Sequence, residues 1–176
     1  LCDLWDVKVA DYNGWGNDTY QFGLGDGADT IYDHDTSAGN LDRIVLGAGI
    51  AESDVKATRD GDNLVLSITG TTDVLKVKNY FNTDATGGWA IEEIVFDDAT
   101  VWNIDAVKAQ VLKGTAGNDE IHGDKADNVL SGLAGNDNLQ GYGGNDQLLG
   151  GAGNDALNGG SGNDILTGEG GDDTLI

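Results

Sequence analysis

The chain has 176 residues, of which 31 are acidic and 9 are basic, so its formal net charge at pH 7 is −22. This charge disfavours nucleic acids and anionic membranes as unaided partners, and it makes the chain repel itself until cations bind. No apolar run reaches the length of about 18 residues that a membrane-spanning helix needs. The one cysteine, Cys2, excludes an internal disulfide, and the opening residues do not look like a native start, which predicts a fragment of a longer protein.

Two short segments near the amino terminus are imperfect copies of a nine-residue pattern that recurs later in the chain. Residues 13–21 read N-G-W-G-N-D-T-Y-Q, and residues 24–32 read L-G-D-G-A-D-T-I-Y. Asp18 and Asp29 occupy the sixth position of these copies, so both are candidate metal ligands.

The sequence D-H-D-T-S at 33–37 resembles the start of an EF-hand loop. A true EF-hand is rejected, because Ala38 stands where the loop requires glycine and Ile44 stands where it requires a bidentate glutamate. A single carboxylate-rich metal site and a solvated surface segment remain the two interpretations of this stretch.

The segment up to residue 113 is rich in β-branched and aromatic residues, which predicts a β-rich domain. Asp60-Gly61 lies between two of the predicted strands and is typical of a hairpin turn. A short helix over Ile104–Leu112 with Asn103 as its cap is also predicted, with Val101 and Trp102 still in a strand. The predicted strands are Arg43–Leu46, Val55–Thr58, Leu64–Ile68, Val74–Val77 and Ile91–Phe96.

Aromatic residues of this segment are interpreted as core or interface residues, with a sugar-binding platform as the alternative. They are Tyr80, Phe81, Trp89, Phe96 and Trp102.

Residues 114–176 read as seven consecutive nine-residue repeats without a gap. Every repeat begins with glycine, six of the seven have glycine at the fourth position and aspartate at the sixth, and the eighth is always Ile or Leu. A short fixed period predicts a solenoid, because each unit buries its apolar side only against its neighbours. We expect the first six residues to form a turn and the last three a short strand whose partners stack about 4.8 Å away. The apolar side chains would form two ladders: Ile121, Leu130, Leu139, Leu148, Leu157, Leu166 and Leu175.

The recurring aspartates require a cation, because stacking places like charges close together. This segment holds eleven acidic residues and one lysine, Lys125, so its own side chains cannot balance the charge. Oxygen ligands on irregular turns suit Ca²⁺ better than the stricter octahedral Mg²⁺. The predicted carboxylate ligands of several Ca²⁺ ions are Asp119, Asp137, Asp146, Asp155, Asp164 and Asp173.

The pattern G-G-x-G-N-D-x-L-x resembles the RTX (repeat-in-toxin) nonapeptide, a Ca²⁺-binding β-helix repeat. The resemblance implies a right-handed parallel β-roll in which Ca²⁺ lies between the turns of repeats i and i+2. The implied aspartate pairs are 119 with 137, 137 with 155, 155 with 173, and 146 with 164. The second repeat departs from the pattern, because Asn128 replaces the aspartate and Ala126 the fourth glycine. The turn residues implied as carbonyl ligands are Gly132, Ala134, Gly141, Gly143, Gly150, Ala152, Gly159 and Ser161.

Residues 13–105 resemble the haemolysin-type calcium-binding-related domain that accompanies RTX blocks. It carries no known chemistry, and we expect it to cover an open end of the roll, since exposed strand edges favour aggregation. The predicted fold class is therefore all-β, with a carboxyl-terminal parallel β-roll and an amino-terminal β-rich capping domain. Three segments are expected: degenerate repeats over 1–35, the β-rich domain over 36–113 and the roll over 114–176.

No enzymatic motif is recognisable, so we do not expect an enzyme. The chain has two histidines and lacks the Gly-x-Ser-x-Gly, His-Glu-x-x-His and Cys-x-x-Cys patterns. The resemblance implies a calcium-binding module of a larger bacterial protein, exported by type I secretion and located outside the cell or on its surface. The alternative is an adhesin or surface-layer segment that contacts glycan or another copy through Ca²⁺ and residues such as Tyr142.

Overall fold

The computed structural model of the protein describes residues 16–36, 39–82, 85 and 88–176. The expectations for Cys2, for the opening residues and for the start of the 13–21 copy lie outside the described residues. The structure divides into two compact units, the first ending at Val107 and the second beginning at Lys108. Within the described ranges, no helix is both long enough and apolar enough to cross a membrane. The expected three-segment division stays a prediction.

The first unit is built from eight described strands that form two sheets. One sheet has the order β1-β3-β7-β8, with its first three strands parallel and the last antiparallel. The other has the order β2-β6-β5-β4, with β2 parallel to β6 and the remaining pairs antiparallel. The strands are β1 Thr19–Phe22, β2 Ala28–Ile31, β3 Arg43–Leu46, β4 Val55–Asp60, β5 Asn63–Ile68, β6 Val74–Val77, β7 Glu93–Val95 and β8 Val101–Asn103.

The strand predictions for this unit are confirmed in position, with changes at some ends. Strands β3 and β6 have the predicted bounds, and β4 and β5 are antiparallel strands joined at Gly61-Asp62, which confirms the hairpin. The prediction Ile91–Phe96 was too long, because only the centre of this segment pairs with β3 and β8 as strand β7.

Most of the aromatic residues interpreted as core are buried. Tyr80, Phe81, Phe96 and Trp102 are each at most 3% exposed, so none of these four can form an exposed sugar platform. The ring of Trp89 is only half-buried and contacts the imidazole of His34, with the centroids 4.3 Å apart.

The predicted helix is present as α1, Ile104–Val111, directly after strand β8. The side chain of Asn103 caps it, because its Oδ1 accepts a hydrogen bond of 2.9 Å from the backbone N–H of Ala106. The helix ends before Leu112, one residue earlier than predicted.

The second unit is a parallel β-roll in which strands of alternate repeats stack into two sheets. One sheet contains β10, β12 and β14, and the other has the order β15-β13-β11-β9, with every pair parallel. Leu130 pairs with Leu148 and Leu148 with Leu166, so the stacking period is two repeats. The strands are β9 Glu120–His122, β10 Val129–Ala134, β11 Asn138–Gln140, β12 Gln147–Ala152, β13 Ala156–Asn158, β14 Ile165–Gly170 and β15 Thr174–Leu175.

The eighth-position side chains fill the interior of the roll as predicted for five of the seven repeats, from Ile121 to Leu157, which are at most 4% exposed. Leu166 is partly buried against this cluster. Leu175 was also predicted to be internal, but it is 48% exposed because it lies in the terminal rung, with a neighbouring rung on one side only.

The prediction that every repeat holds a three-residue strand is wrong for one side of the roll. Strands β10, β12 and β14 each have six residues and continue through the first three residues of the following repeat. Pairing continues there in register through Leu133, Gly151 and Glu169, whose φ values of 74°, 107° and 71° are all positive. On the other side, the equivalent pairing is reduced to a single bridge between Gly143 and Ser161.

Glycine is required at the fourth position of a repeat when that repeat stacks on the backbone of the repeat two earlier in the chain. Gly153 has a φ of 135°, and a Cβ atom there would collide with the carbonyl oxygen of Gly135. Gly117 and Ala126, the fourth residues of the first two repeats, do not adopt a positive φ. This difference explains why the second repeat accepts alanine at this position.

We predict that Gly153→Ala destabilises the roll by at least about 1–2 kcal/mol, the cost of a left-handed conformation for an L-residue. Gly117→Ala is the matched control, because its added Cβ would meet only the Thr115 hydroxyl at 3.7 Å. Thermal unfolding in Ca²⁺, followed by circular dichroism, compares the two variants. Equal melting temperatures would contradict this account of the fourth position.

Candidate metal centre

The sixth-position side chains are joined across the rungs by one repeated hydrogen bond. The backbone N–H of Asp119 donates to Oδ1 of Asp137 at 2.8 Å, and that of Asp137 donates to Oδ1 of Asp155 at 2.8 Å. The same contact joins Asp155 to Asp173 at 3.0 Å. On the other side of the roll, Asn128 donates to Asp146 at 2.8 Å and Asp146 to Asp164 at 2.9 Å. The structure thus brings together every aspartate pair that the RTX resemblance implied.

The second carboxylate oxygen of the inner aspartates is buried without a hydrogen-bond partner among the described residues. This holds for Oδ2 of Asp137, Asp146 and Asp155, whose residues are 3%, 2% and 2% exposed. A buried anionic oxygen with no donor is costly unless a cation compensates it.

A carbonyl oxygen from the repeat two positions later lies beside each of these carboxylate oxygens. A Cβ atom built on Gly132 would meet both Oδ2 of Asp137 and the carbonyl oxygen of Gly150. The same arrangement recurs at Gly141, where the two oxygens come from Asp146 and Gly159. Because glycine has no side chain, each position leaves a cradle lined by two oxygens, and such oxygen ligands fit Ca²⁺.

The electrostatics of the inner rungs are unfavourable to ionised carboxylates. Burial raises the pKa of Asp137 above its ordinary value, and the charges of Asp155 and Asp119 raise it further. Burial likewise raises the pKa of Asp146, with Asp164 among the contributing charges. A cation between the rungs would remove this penalty, since it favours the ionised carboxylate.

The first two repeats differ from the inner ones in how the same position is satisfied. Oδ2 of Asp119 accepts hydrogen bonds from the backbone N–H and the hydroxyl of Thr115, at 2.6 and 2.8 Å. In the second repeat, the amide of Asn128 accepts from the backbone N–H of Asp124 at 2.8 Å and donates to its carboxylate at 3.2 Å. The carboxylate oxygens that most need a compensating cation therefore lie in the middle repeats of the roll.

The expected carbonyl ligands divide into two groups in the structure. The first-position glycines Gly132, Gly141, Gly150 and Gly159 lie at the cradles. The third-position residues belong to the backbone ladder instead: Ala134 and Ala152 pair with each other in β10 and β12, and Gly143 bridges to Ser161. Metal ligation by either group stays a prediction.

The two aspartates of the degenerate copies lie in different surroundings. Asp18 directly precedes strand β1, and its backbone N–H donates to Oδ1 of Asp42 at 2.8 Å. Asp29 lies within strand β2, opposite Leu75 of β6. The structure does not bring Asp18 and Asp29 into one cluster, and their metal roles stay predictions.

Sequence reasoning missed a second polar ladder formed by the fifth residue of the repeats. Oδ1 of Asn118 accepts a hydrogen bond from the backbone N–H of Asn136, and Oδ1 of Asn136 accepts one from that of Asn154, both at 2.8 Å. The other side of the roll repeats this contact from Asn145 to Asp127 at 2.6 Å and from Asn163 to Asn145 at 3.0 Å. The signal was present, because all seven repeats have Asn or Asp at this position.

Two family models match successive parts of the chain. The model described as RTX calcium-binding nonapeptide repeat (4 copies) matches residues 109–139, 122–157 and 140–175. Residues 109–175 are therefore RTX calcium-binding nonapeptide repeats. Residues 63–106 match the model described as haemolysin-type calcium binding protein related domain. These matches confirm the RTX resemblance, the parallel roll and Ca²⁺ as the ion that such repeats bind, and they confirm the second resemblance over residues 63–106.

The chain is also similar to a curated protein, the iron-regulated protein FrpA of Neisseria meningitidis serogroup C. The two are 38% identical over 117 residues, which is 66% of this chain and 10% of that protein. The chain thus spans about a tenth of the length of this relative.

We predict that Asp155→Asn lowers the number of bound Ca²⁺ ions more than Asp119→Asn does. The asparagine can still accept the hydrogen bond from Asp137, but it lacks the anionic oxygen that faces the cradle. Asp119→Asn is the matched control, because Oδ2 of Asp119 already accepts two hydrogen bonds from Thr115. Isothermal titration calorimetry counts the ions in each variant, and equal losses would contradict the shared-ligand arrangement.

Proposed function

We propose that this chain is a calcium-dependent folding module of an exported bacterial protein. Inside the cell, where free Ca²⁺ is scarce, the acidic repeats stay extended and pass through a type I secretion channel. Outside the cell, Ca²⁺ fills the cradles, compensates the carboxylates and drives the roll to fold. The folded module then stabilises or displays the remainder of its parent protein.

The observation that supports this proposal is the buried, unpartnered Oδ2 at Asp137, Asp146 and Asp155. These oxygens come together only when the rungs stack, because each aspartate is fixed through its Oδ1 by the backbone of the rung before it. The unfolded chain therefore has no preformed site, and metal binding and folding become one event.

The size of the effect is sufficient to decide folding. If each site has a dissociation constant of about 10⁻³ M, as in extracellular modules, then about 10⁻² M Ca²⁺ contributes about 1.4 kcal/mol per site. Four or five coupled sites give roughly 6–7 kcal/mol. This contribution is comparable to the whole free energy of unfolding of a small domain. Because the aliphatic interior of the roll is thin, bound Ca²⁺ would decide whether the roll folds.

A second candidate function is contact with glycan or with another copy of the chain, as in an adhesin. It is favoured by the exposed ring of Tyr142, which is stacked on the imidazole of His122 with the centroids 5.9 Å apart. Sedimentation with and without Ca²⁺, together with a glycan array, tests this function. Self-association or glycan binding that requires Ca²⁺ would support it, and a monomer without glycan binding in both conditions would contradict it.

We predict that the roll is unfolded in EDTA and that millimolar Ca²⁺ restores its β structure cooperatively. Far-ultraviolet circular dichroism of the full chain during a Ca²⁺ titration is the measurement, with Mg²⁺ at equal concentration and ionic strength as the control. Full β structure in EDTA, or equal recovery with Mg²⁺, would contradict calcium-dependent folding.

A further inference from the structure

A cluster of carboxylates lies in the first unit, outside the nonapeptide array. Asp18, Asp33 and Asp42 each offer one carboxylate oxygen, and these oxygens all lie within 4.8 Å of one another. Asp18 and Asp42 directly precede the parallel strands β1 and β3, which places them at the same end of one sheet. Asp33 reaches the cluster from the segment that follows strand β2. The fold therefore assembles three residues that are distant in sequence.

The state of Asp33 separates this cluster from ordinary surface acidity. The residue is 2% exposed, and neither of its carboxylate oxygens makes a well-aligned hydrogen bond among the described residues, although the Tyr20 hydroxyl and the Asp42 carboxyl lie beside it. Burial raises the pKa of Asp33 to about 7, with the charge of Asp42 as a further cause. An aspartate in this position is costly unless a positive charge lies beside it. The neighbouring Arg43 has its guanidinium 2.7 Å from Glu93, in an ion pair of its own.

The backbone contact within the cluster is the one that joins successive aspartates in the roll. The N–H of Asp18 donates to Oδ1 of Asp42 at 2.8 Å, as the N–H of Asp137 donates to Oδ1 of Asp155 at 2.8 Å. In both places a parallel strand pair begins at the next residue or the one after it. In the first unit the two aspartates are 24 residues apart instead of 18. The longer connection brings in Asp33, for which the roll has no equivalent.

We propose that Asp18, Asp33 and Asp42 bind one Ca²⁺ ion in the first unit, independently of the ions in the roll. Three carboxylates without nitrogen or sulfur ligands select a hard cation. Oxygens up to 4.8 Å apart fit around Ca²⁺, whose ligands lie about 2.3–2.6 Å from the ion. The ion would hold together the starts of β1 and β3 and the chain that leaves β2. The site goes beyond the proposed function, because it gives the unit that precedes the roll its own dependence on calcium.

The first test is the number of Ca²⁺ ions bound by the full chain, measured by equilibrium dialysis and atomic emission. Asp33→Asn removes a carboxylate with little change in shape, and we expect it to lose one ion relative to the wild type. Asp62→Asn is the matched control, because it makes the same charge change at an exposed residue of the same unit. An ion count for Asp33→Asn equal to that of the control would overturn the proposal.

The second test follows the first unit alone by tryptophan fluorescence. All four tryptophans precede Lys108, and the two in the described residues, Trp89 and Trp102, belong to the first unit, so a change in their emission reports that unit even when the roll is disturbed. We expect Ca²⁺ to raise the melting temperature seen by fluorescence in the wild type and in Asp155→Asn, and to raise it less in Asp33→Asn. Asp18→Asn should behave like Asp33→Asn, and because Asp18 is only half-buried, this variant keeps the test open if Asp33→Asn does not fold.

The outcomes distinguish this site from the proposed function of the roll. If Asp18→Asn keeps the full calcium-dependent shift in fluorescence, the proposed site is wrong, whatever circular dichroism shows for the roll. If the shift is lost in Asp18→Asn and kept in Asp155→Asn, the site is supported even where the roll folds without calcium.

Discussion

The roll depends on the compensation of carboxylates that its own backbone holds in register. Each inner aspartate uses Oδ1 to accept the N–H of the aspartate or asparagine two repeats earlier, and this contact buries Oδ2 beside a carbonyl oxygen. The hydrogen bond that joins the rungs thus also holds the second carboxylate oxygen in a buried position, where its negative charge must be balanced. With eleven acidic residues and one lysine in residues 114–176, the chain cannot supply that balance from its own side chains. We therefore propose that stacking and cation binding are coupled, which would make such a segment responsive to calcium.

Other features of the repeat follow from the same close stacking. Glycine is required at the first position because a Cβ atom there would occupy the cradle, as at Gly132, where it would meet Asp137 and Gly150. The interior is a single thin cluster of buried Ile and Leu side chains, so hydrophobic burial alone is a modest source of stability. The fifth-position ladder from Asn118 to Asn136 satisfies backbone N–H groups on the turns, which lie outside the strand ladders.

Much of the architecture of the roll could be predicted from the sequence, because it follows from a repeat of fixed length. The nine-residue spacing predicted the stacked strands and the internal Leu ladders, and the family resemblance implied the aspartate pairs. Local signals predicted the Asn103 cap and the hairpin at Gly61. The six-residue strands could not be predicted, because the repeat pattern is the same on both sides of the roll and does not indicate that pairing continues on one side only. The sequence indicated Asp18 and the stretch 33–37 as separate candidate metal sites, but it could not predict that Asp18, Asp33 and Asp42 meet, because they come together only through the pairing of β1 with β3. Sequence spacing carries information about neighbours in the repeat and little about contacts that a single fold creates once.

The central claim is that divalent cations lie between the inner rungs and compensate their buried carboxylates. The most direct measurement is a crystal structure grown in ample calcium, with anomalous scattering used to distinguish Ca²⁺ from water. The account predicts an anomalous peak between Oδ2 of Asp137 and the Gly150 carbonyl oxygen, and an equivalent peak at Asp146 and Gly159. Ordered water without anomalous signal at both positions, in a roll with the same rung spacing, would contradict it.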